Sequence, residues 1–206
     1  MLGDPLILSK QDYQRAEKIL NDLHDKRIIL IGGGSGTRKS ELAYCIQKLL
    51  NDNRKSSFVV SLDDAYHVIP SIRVKNRKKM GIASVGLSEI DWDYLTRIYE
   101  DFENKKPITF RRTHLFLDAI EHNTIDSDCI DVMVFEGLFA NYLRKFYSDN
   151  LSIFLEGNPQ QTLKFRKMRG KEDENNAFRK QVVQKEYNTV VQLKRYSDFI
   201  LKFKEE

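Results

Sequence analysis

Cysteine is nearly missing from this chain of 206 residues, with Cys45 and Cys129 the only two. Cys45 sits in an apolar helical stretch and Cys129 just before a strand-like run, so both are expected to pack as reduced thiols. A disulfide framework and a cysteine metal site are excluded. Long apolar runs are also missing. No segment approaches the ~20 residues needed to cross a bilayer, and Met1 to Lys10 lacks the basic start and apolar stretch of a signal peptide. A soluble, cytoplasmic protein with no membrane partner is expected. Nor is there a large excess of one charge, since 34 Lys and Arg against 30 Asp and Glu leave a net +4. The basic residues Arg73, Lys75, Arg77, Lys78 and Lys79 are nevertheless packed into one short segment that could face a polyanion, a phosphorylated substrate or simply solvent. The length suits a single domain, 1–206, with enough core to need no covalent staples.

What is present is a glycine-rich turn. Residues 32–40 read Gly-Gly-Gly-Ser-Gly-Thr-Arg-Lys-Ser, one residue away from the phosphate-binding pattern Gly-x-x-x-x-Gly-Lys-[Ser/Thr]. The β-branched run 27–31 before it reads as a buried parallel strand, and Leu42, Ile46, Leu49 and Leu50 after it have helical spacing. A helix start leaves N–H groups unpaired and carries partial positive charge, and a loop with few side chains lets phosphate oxygens reach them. Gly33, Gly34, Ser35, Gly36, Thr37, Arg38, Lys39 and Ser40 therefore form the candidate nucleotide cradle. Lys39 reaches the terminal phosphates and Ser40 is a magnesium ligand. Arg38 replaces the last glycine of the pattern. If glycine serves an unusual backbone angle there, arginine costs free energy; if it only leaves room, arginine adds a phosphate partner. The sequence leaves both open.

Around this turn the elements alternate. Ser9 and Asp12 form a capping-box pattern for a first helix, over about 10–24, with Tyr13, Ala16, Ile19, Leu20 and Leu23 on one face. Residues 57–62 read as a second strand, 131–135 as a third, 151–155 as a fourth and 198–202 as a fifth. Between them, 68–87 is basic and interrupted by Pro70, Gly81 and Gly86, and is expected to be a long loop. Ser88 and Asp91 open a helix with a stripe of Trp92, Leu95, Ile98, Tyr99 and Phe102, closed by Pro107. Asn158-Pro159 is expected to start another. Strands separated by helices predict an α/β fold with a parallel sheet covered on both faces, its ligands at the carboxyl ends of the strands. Residues 32–40, 63–67 and 136–137 should converge there.

Phosphoryl transfer asks for positioning and charge neutralisation, and each part has a candidate. Asp63, after the second strand, suits the carboxylate that takes the acceptor proton, with Asp64 as its rival. Glu136, ending the apolar run 132–135, suits the metal or its water. Lys164, Arg166, Lys167, Arg169 and Lys171 cluster near Gly170, and Arg179 follows a polar insert at 172–176. This reads as a flap over 166–179 whose arginines close on the triphosphate.

These markers in this order resemble the uridine kinase and phosphoribulokinase group of phosphate-loop kinases. The likeness rests on 33–40, on Ser61-Leu62-Asp63-Asp64-Ala65-Tyr66-His67, on Phe135-Glu136-Gly137 and on the arginine-bearing segment. It implies the phosphate-loop nucleoside triphosphatase fold with five parallel strands and a small lid, ATP and magnesium as co-substrates, and transfer to a hydroxyl of a small molecule. It also implies Asp63 as catalytic carboxylate, Tyr66 as an acceptor-site residue, Glu136 near the metal, and Arg166 and Arg169 as lid arginines. Where uridine kinases carry Tyr-Asp-Phe and then a histidine, this chain has Thr109-Phe110-Arg111-Arg112-Thr113-His114. Arg111 and Arg112, with His114, suit an acceptor that already bears a phosphate or carboxylate. Two rival readings follow. One is a nucleotide-binding protein without catalysis, a sensor or platform, for which Arg38 speaks. The other, a nucleic-acid-dependent ATPase, ranks last because no aromatic stacking motif interleaves with the basic run.

Overall fold

A computed structural model describes residues 6–114, 117–170 and 176–203. Five strands form one parallel sheet: β1 (Ile28–Gly33), β2 (Ser57–Ser61), β5 (Val132–Glu136), β6 (Leu151–Glu156) and β7 (Phe199–Lys202), in the order β2-β5-β1-β6-β7. Every pairing in it is parallel, with Ile31 opposite Glu136 and Ser61 also opposite Glu136. Register alone therefore puts the ends of β1, β2 and β5 side by side.

Alternation along the strands explains the continuous apolar runs, because both faces of the sheet are covered. Ile28, Leu30, Val60, Met133, Phe135 and Phe154 face one core, closed by Leu95, Ile98 and Phe102 of α4 (Trp92–Glu103) and by Val190 of α6 (Ala177–Leu193). Ile29, Ile31, Val132, Val134, Ile153 and Leu155 face the other, closed by α1 (Lys10–Asn21) and α2 (Lys39–Asp52). The capping box that starts α1 is formed: Asp12 accepts from the Ser9 N–H and hydroxyl at 3.0 Å each.

Several expectations are corrected. The basic segment read as a loop contains α3 (Pro70–Met80), with Pro70 at the first position, where a missing N–H costs nothing. Its Arg77 is buried and bonded to Glu89 at 2.7 and 2.8 Å and to Glu186 of α6 at 3.0 Å, so that residue is internal glue rather than a polyanion contact. Asn158-Pro159 does not begin a helix. The Asn158 carboxamide accepts from the N–H groups of Gln160 and Gln161, folding a turn, and α5 starts later (Leu163–Met168). Asp91 alone caps α4, accepting from Tyr94 N–H at 3.0 Å. Cys45 is buried, its thiol pushed up to about 11 by burial, but Cys129 is exposed and does not pack.

An unforeseen element is the antiparallel hairpin of β3 (Ile108–His114) and β4 (Ala119–Ile125), a separate two-stranded sheet. Among the described residues no helix is long and apolar enough to cross a membrane.

Candidate active site

The glycine-rich turn leaves β1 at its carboxyl end and becomes the first turn of α2. Gly36 has φ +79°, and a Cβ there would lie 2.9 Å from the Thr162 carbonyl oxygen, so only glycine fits. Lys39 folds back over the turn and donates to the Gly34 carbonyl at 2.7 Å. Burial pulls its ammonium from 10.5 down to about 8, against the attraction of Glu136 and Asp63.

Glu136 ends β5 and faces it. One carboxylate oxygen accepts from Ser61 Oγ at 2.7 Å and the other from Ser40 Oγ at 3.2 Å. Its carboxyl is held above the usual carboxylate range, first by burial and then by repulsion from Asp63. A buried carboxylate and a hydroxyl that already touch suit a hard cation that keeps water and phosphate as its remaining ligands. Ser40 and Glu136 are the residues that would hold a magnesium ion, whose charge would offset the burial and the Asp63 repulsion that raise the glutamate.

A small cavity of about 70 Å³ is lined by Ser35, Gly36, Lys39, Ser40, Asp63, Glu136, Gly137, Leu138, Arg166 and Arg169. The structure brings the candidates of the glycine-rich turn, Asp63, Glu136, Arg166 and Arg169 together here, with Leu138 a wall residue that the sequence reading did not name. Arg166, on α5, is oriented by Thr162 Oγ1 at 2.5 Å and the Pro159 carbonyl at 2.9 Å. Arg169, just past α5, is paired with Glu41 of α2, a residue that the sequence reading missed. Glu41 is 1 % exposed although it carries a charge; an acid at the third position of a helix beginning Lys-Ser is the signal that could have found it. Residues 171–175 of the expected flap, Lys171 among them, lie outside the described residues.

Of the two things the sequence allowed, Arg38 does the first and not the second. Its backbone is left-handed, φ 72° and ψ 33°, which is the angle a glycine would serve. Its guanidinium turns away from the phosphate cavity to Asp12 of α1, with Nε at 3.1 Å and Nη2 closer still, and donates to the Ile7 carbonyl at 2.6 Å. Both charges are buried, and the guanidinium lies 5.0 Å from the Phe165 ring centroid. The side chain expected among the nucleotide contacts therefore holds α1 instead.

On the other side of Asp63 lies a larger cavity, about 210 Å³, bounded by Leu6, Tyr44, Gln47, Val59, Asp63 and Arg112 and reaching Ser40 and Glu136. Asp63 thus belongs to both cavities, whereas Asp64 turns inward. It is 2 % exposed, accepts from Thr113 N–H at 2.9 Å and pairs with Arg112 at 3.5 Å, fixing the hairpin to the end of β2. The two neighbours differ in place: half-buried Asp63 lines both cavities, and Asp64 fastens the hairpin.

The expected pair of adjacent guanidinium groups is corrected. Neighbours on a strand point to opposite faces. Arg111 pairs with Asp91 at 2.8 Å and lies 4.2 Å from the Tyr94 ring centroid, while Arg112 faces Asp64 and the larger cavity. His114 pairs with Glu121 at 3.0 Å and, like Arg111, lines neither cavity. Tyr66 is buried beneath Arg73, 3.6 Å from its ring centroid, and opens on a third cavity of about 290 Å³ with His67 and Met80, apart from that of Asp63.

Residues 28–200 match the model of the Phosphoribulokinase / Uridine kinase family. The chain is 29% identical over 167 residues to a uridine kinase of Ureaplasma urealyticum serovar 10, covering 76% of this chain and 75% of that protein. It is 28% identical over 176 residues to the bifunctional alpha-galactosidase/sucrose kinase AgaSK of Mediterraneibacter gnavus, covering 80% of this chain and 19% of that longer protein. Among solved structures, phosphoribulokinase from Rhodobacter spheroides superposes with a TM-score of 0.63 at 14% identity, covering 86% of this chain and 70% of that one.

Proposed function

The chain belongs to the phosphoribulokinase / uridine kinase family, a small-molecule kinase by family and fold, and from that premise we propose that it transfers the terminal phosphoryl group of ATP to a hydroxyl group. The acceptor is a nucleoside, a sugar phosphate or a related metabolite. The observation that carries this reading is that Asp63, with Ser40 and Glu136, lines both the phosphate cavity and the larger one.

The residues divide the work. Main-chain amides of 33–37 with Lys39 hold the triphosphate tail, Arg166 and Arg169 neutralise charge that spreads over the transferring group, and Ser40 with Glu136 would hold magnesium. Magnesium held there would supply positive charge that neutralises the terminal phosphates. In the larger cavity Asp63 takes the proton of the acceptor hydroxyl as its oxygen bonds to the terminal phosphorus and the bond to the leaving phosphate oxygen breaks. Arg112 on that wall favours an acceptor with an anionic group, a single guanidinium rather than a pair reading it. The reading of a nucleotide binder without catalysis rested on Arg38, and with its guanidinium on Asp12 no observation favours that reading over turnover.

The test is formation of ADP from magnesium–ATP against a panel of nucleosides, sugars, sugar phosphates and pantothenate-like hydroxy acids, with melting shifts read in parallel. Turnover with one acceptor class, lost in Asp63→Asn while magnesium–ATP still raises the melting temperature, is expected. Binding of magnesium–ATP with no turnover on any acceptor would overturn the kinase reading.

A further inference from the structure

Leu6 forms part of the wall of the larger cavity although α1 begins only at Lys10. Nothing in its own side chain secures it there, since Leu6 is 40% exposed. What fixes the segment lies one and three residues further along. The Ile7 carbonyl accepts from Arg38 at 2.6 Å, and Ser9 is bonded through both N–H and hydroxyl to Asp12, whose carboxylate is in turn bonded by Arg38 through Nε and Nη2.

We propose that Arg38, acting through Ile7 and Asp12, holds the segment 6–9 so that Leu6 forms part of the wall of the acceptor cavity, which makes the side chain of this arginine a specificity-positioning group for the acceptor and not a nucleotide contact. The inference rests on the kinase reading given above. It accounts for a cost that is otherwise unexplained. A non-glycine residue in left-handed backbone is strained, and a buried arginine beside a phosphate loop gives up a charge that could have met the triphosphate. Both are retained because the guanidinium joins three parts of the chain. The phosphate turn provides its backbone, the start of α1 provides Asp12 and Ile7, and α5 provides Phe165, 5.0 Å from the guanidinium and on the same helix as Arg166. The wall that meets the acceptor is thereby held in fixed relation to the loop that meets the nucleotide, which is what in-line transfer requires.

The decisive comparison is wild type against Arg38→Gly and Leu6→Ala. Arg38→Gly releases the segment while relieving the backbone. Leu6→Ala trims the wall without touching any buried charge. With the acceptor found by the panel above, both are expected to raise the KM for that acceptor by about tenfold, the scale of a lost apolar contact, with the KM for magnesium–ATP unchanged. Amide exchange over residues 7–12 should accelerate in Arg38→Gly alone. If Arg38→Gly fails to fold, Leu6→Ala decides. An active wild type whose variants keep the acceptor KM would overturn the proposal, as would Arg38→Gly raising the KM for magnesium–ATP instead. A wild type inert toward every acceptor overturns the kinase reading itself, and the acceptor wall with it.

Discussion

At the phosphate loop, charged groups face one another across a cavity, whereas at the hairpin each arginine is closed onto an aspartate. Lys39 and Glu136 are both buried and both pushed toward their neutral forms, Lys39 downward and Glu136 upward, chiefly by loss of water. Arg111 and Arg112 of β3 are settled on Asp91 and Asp64. Burying charge without full compensation costs stability, and groups held in that condition are where ligands with complementary charge bind most strongly. The comparison separates machinery waiting for a polyanion from ion pairs that hold a wall upright.

The largest effect expected is that of Lys39→Met. Turnover should fall by about 10³-fold or more as a phosphate contact is lost in a water-poor site. The ligand-free protein should nevertheless melt higher at pH 7, because the shift from 10.5 to about 8 marks a charge held at a cost of roughly 3 kcal/mol. A lower melting temperature would break the contrast between the two regions.

Next comes the pair of aspartates. Asp63→Asn is expected to lower kcat by about 10²–10⁴-fold with folding intact. Asp64→Asn is expected to cost about 1–3 kcal/mol in chemical denaturation, from loss of charge in a buried bonded carboxylate, with a smaller effect on kcat. Reversal of these two results would move the catalytic role to Asp64.

Smaller is the effect of Glu41→Gln. The amide keeps a hydrogen bond to Arg169 but removes the charge that aims it, so kcat should drop by about tenfold while the KM for ATP changes little. Steady-state kinetics would decide; an unchanged kcat would leave Glu41 as packing alone.

The mildest is the pH response. An anion is gripped by the protonated lysine, so nucleotide affinity should weaken as pH rises through about 8, measured by titration calorimetry. Stability runs the other way. The folded lysine loses its proton before the unfolded one, so between about pH 8 and 10.5 its unfavourable contribution fades and the ligand-free protein gains stability relative to Lys39→Met.

What could be read in advance follows the same division. The parallel strands announced themselves because they are apolar on both faces, and the site residues carried by their ends, Lys39, Ser40, Asp63 and Glu136, came with them. The hairpin stayed hidden because it is a two-stranded sheet with many half-exposed polar residues, which leaves little periodic pattern. Once hidden, it made Arg111 and Arg112 look like a pair when strand geometry sets them back to back. Pro70 was read as an interruption when it was a helix start, and Arg77 as surface when its partners, Glu89 and Glu186, lie 12 and 109 positions away.

The order of strand, glycine-rich turn and helix, with an acid at the end of each neighbouring strand, was determined by the sequence itself, since those choices depend on local backbone freedom and the alternation of apolar residues. Where a long charged side chain ends up was not, because a guanidinium reaches whichever carboxylate the tertiary fold brings near. Arg38 stands in a phosphate loop by sequence, and only packing of α1 against α2 put Asp12 within its reach.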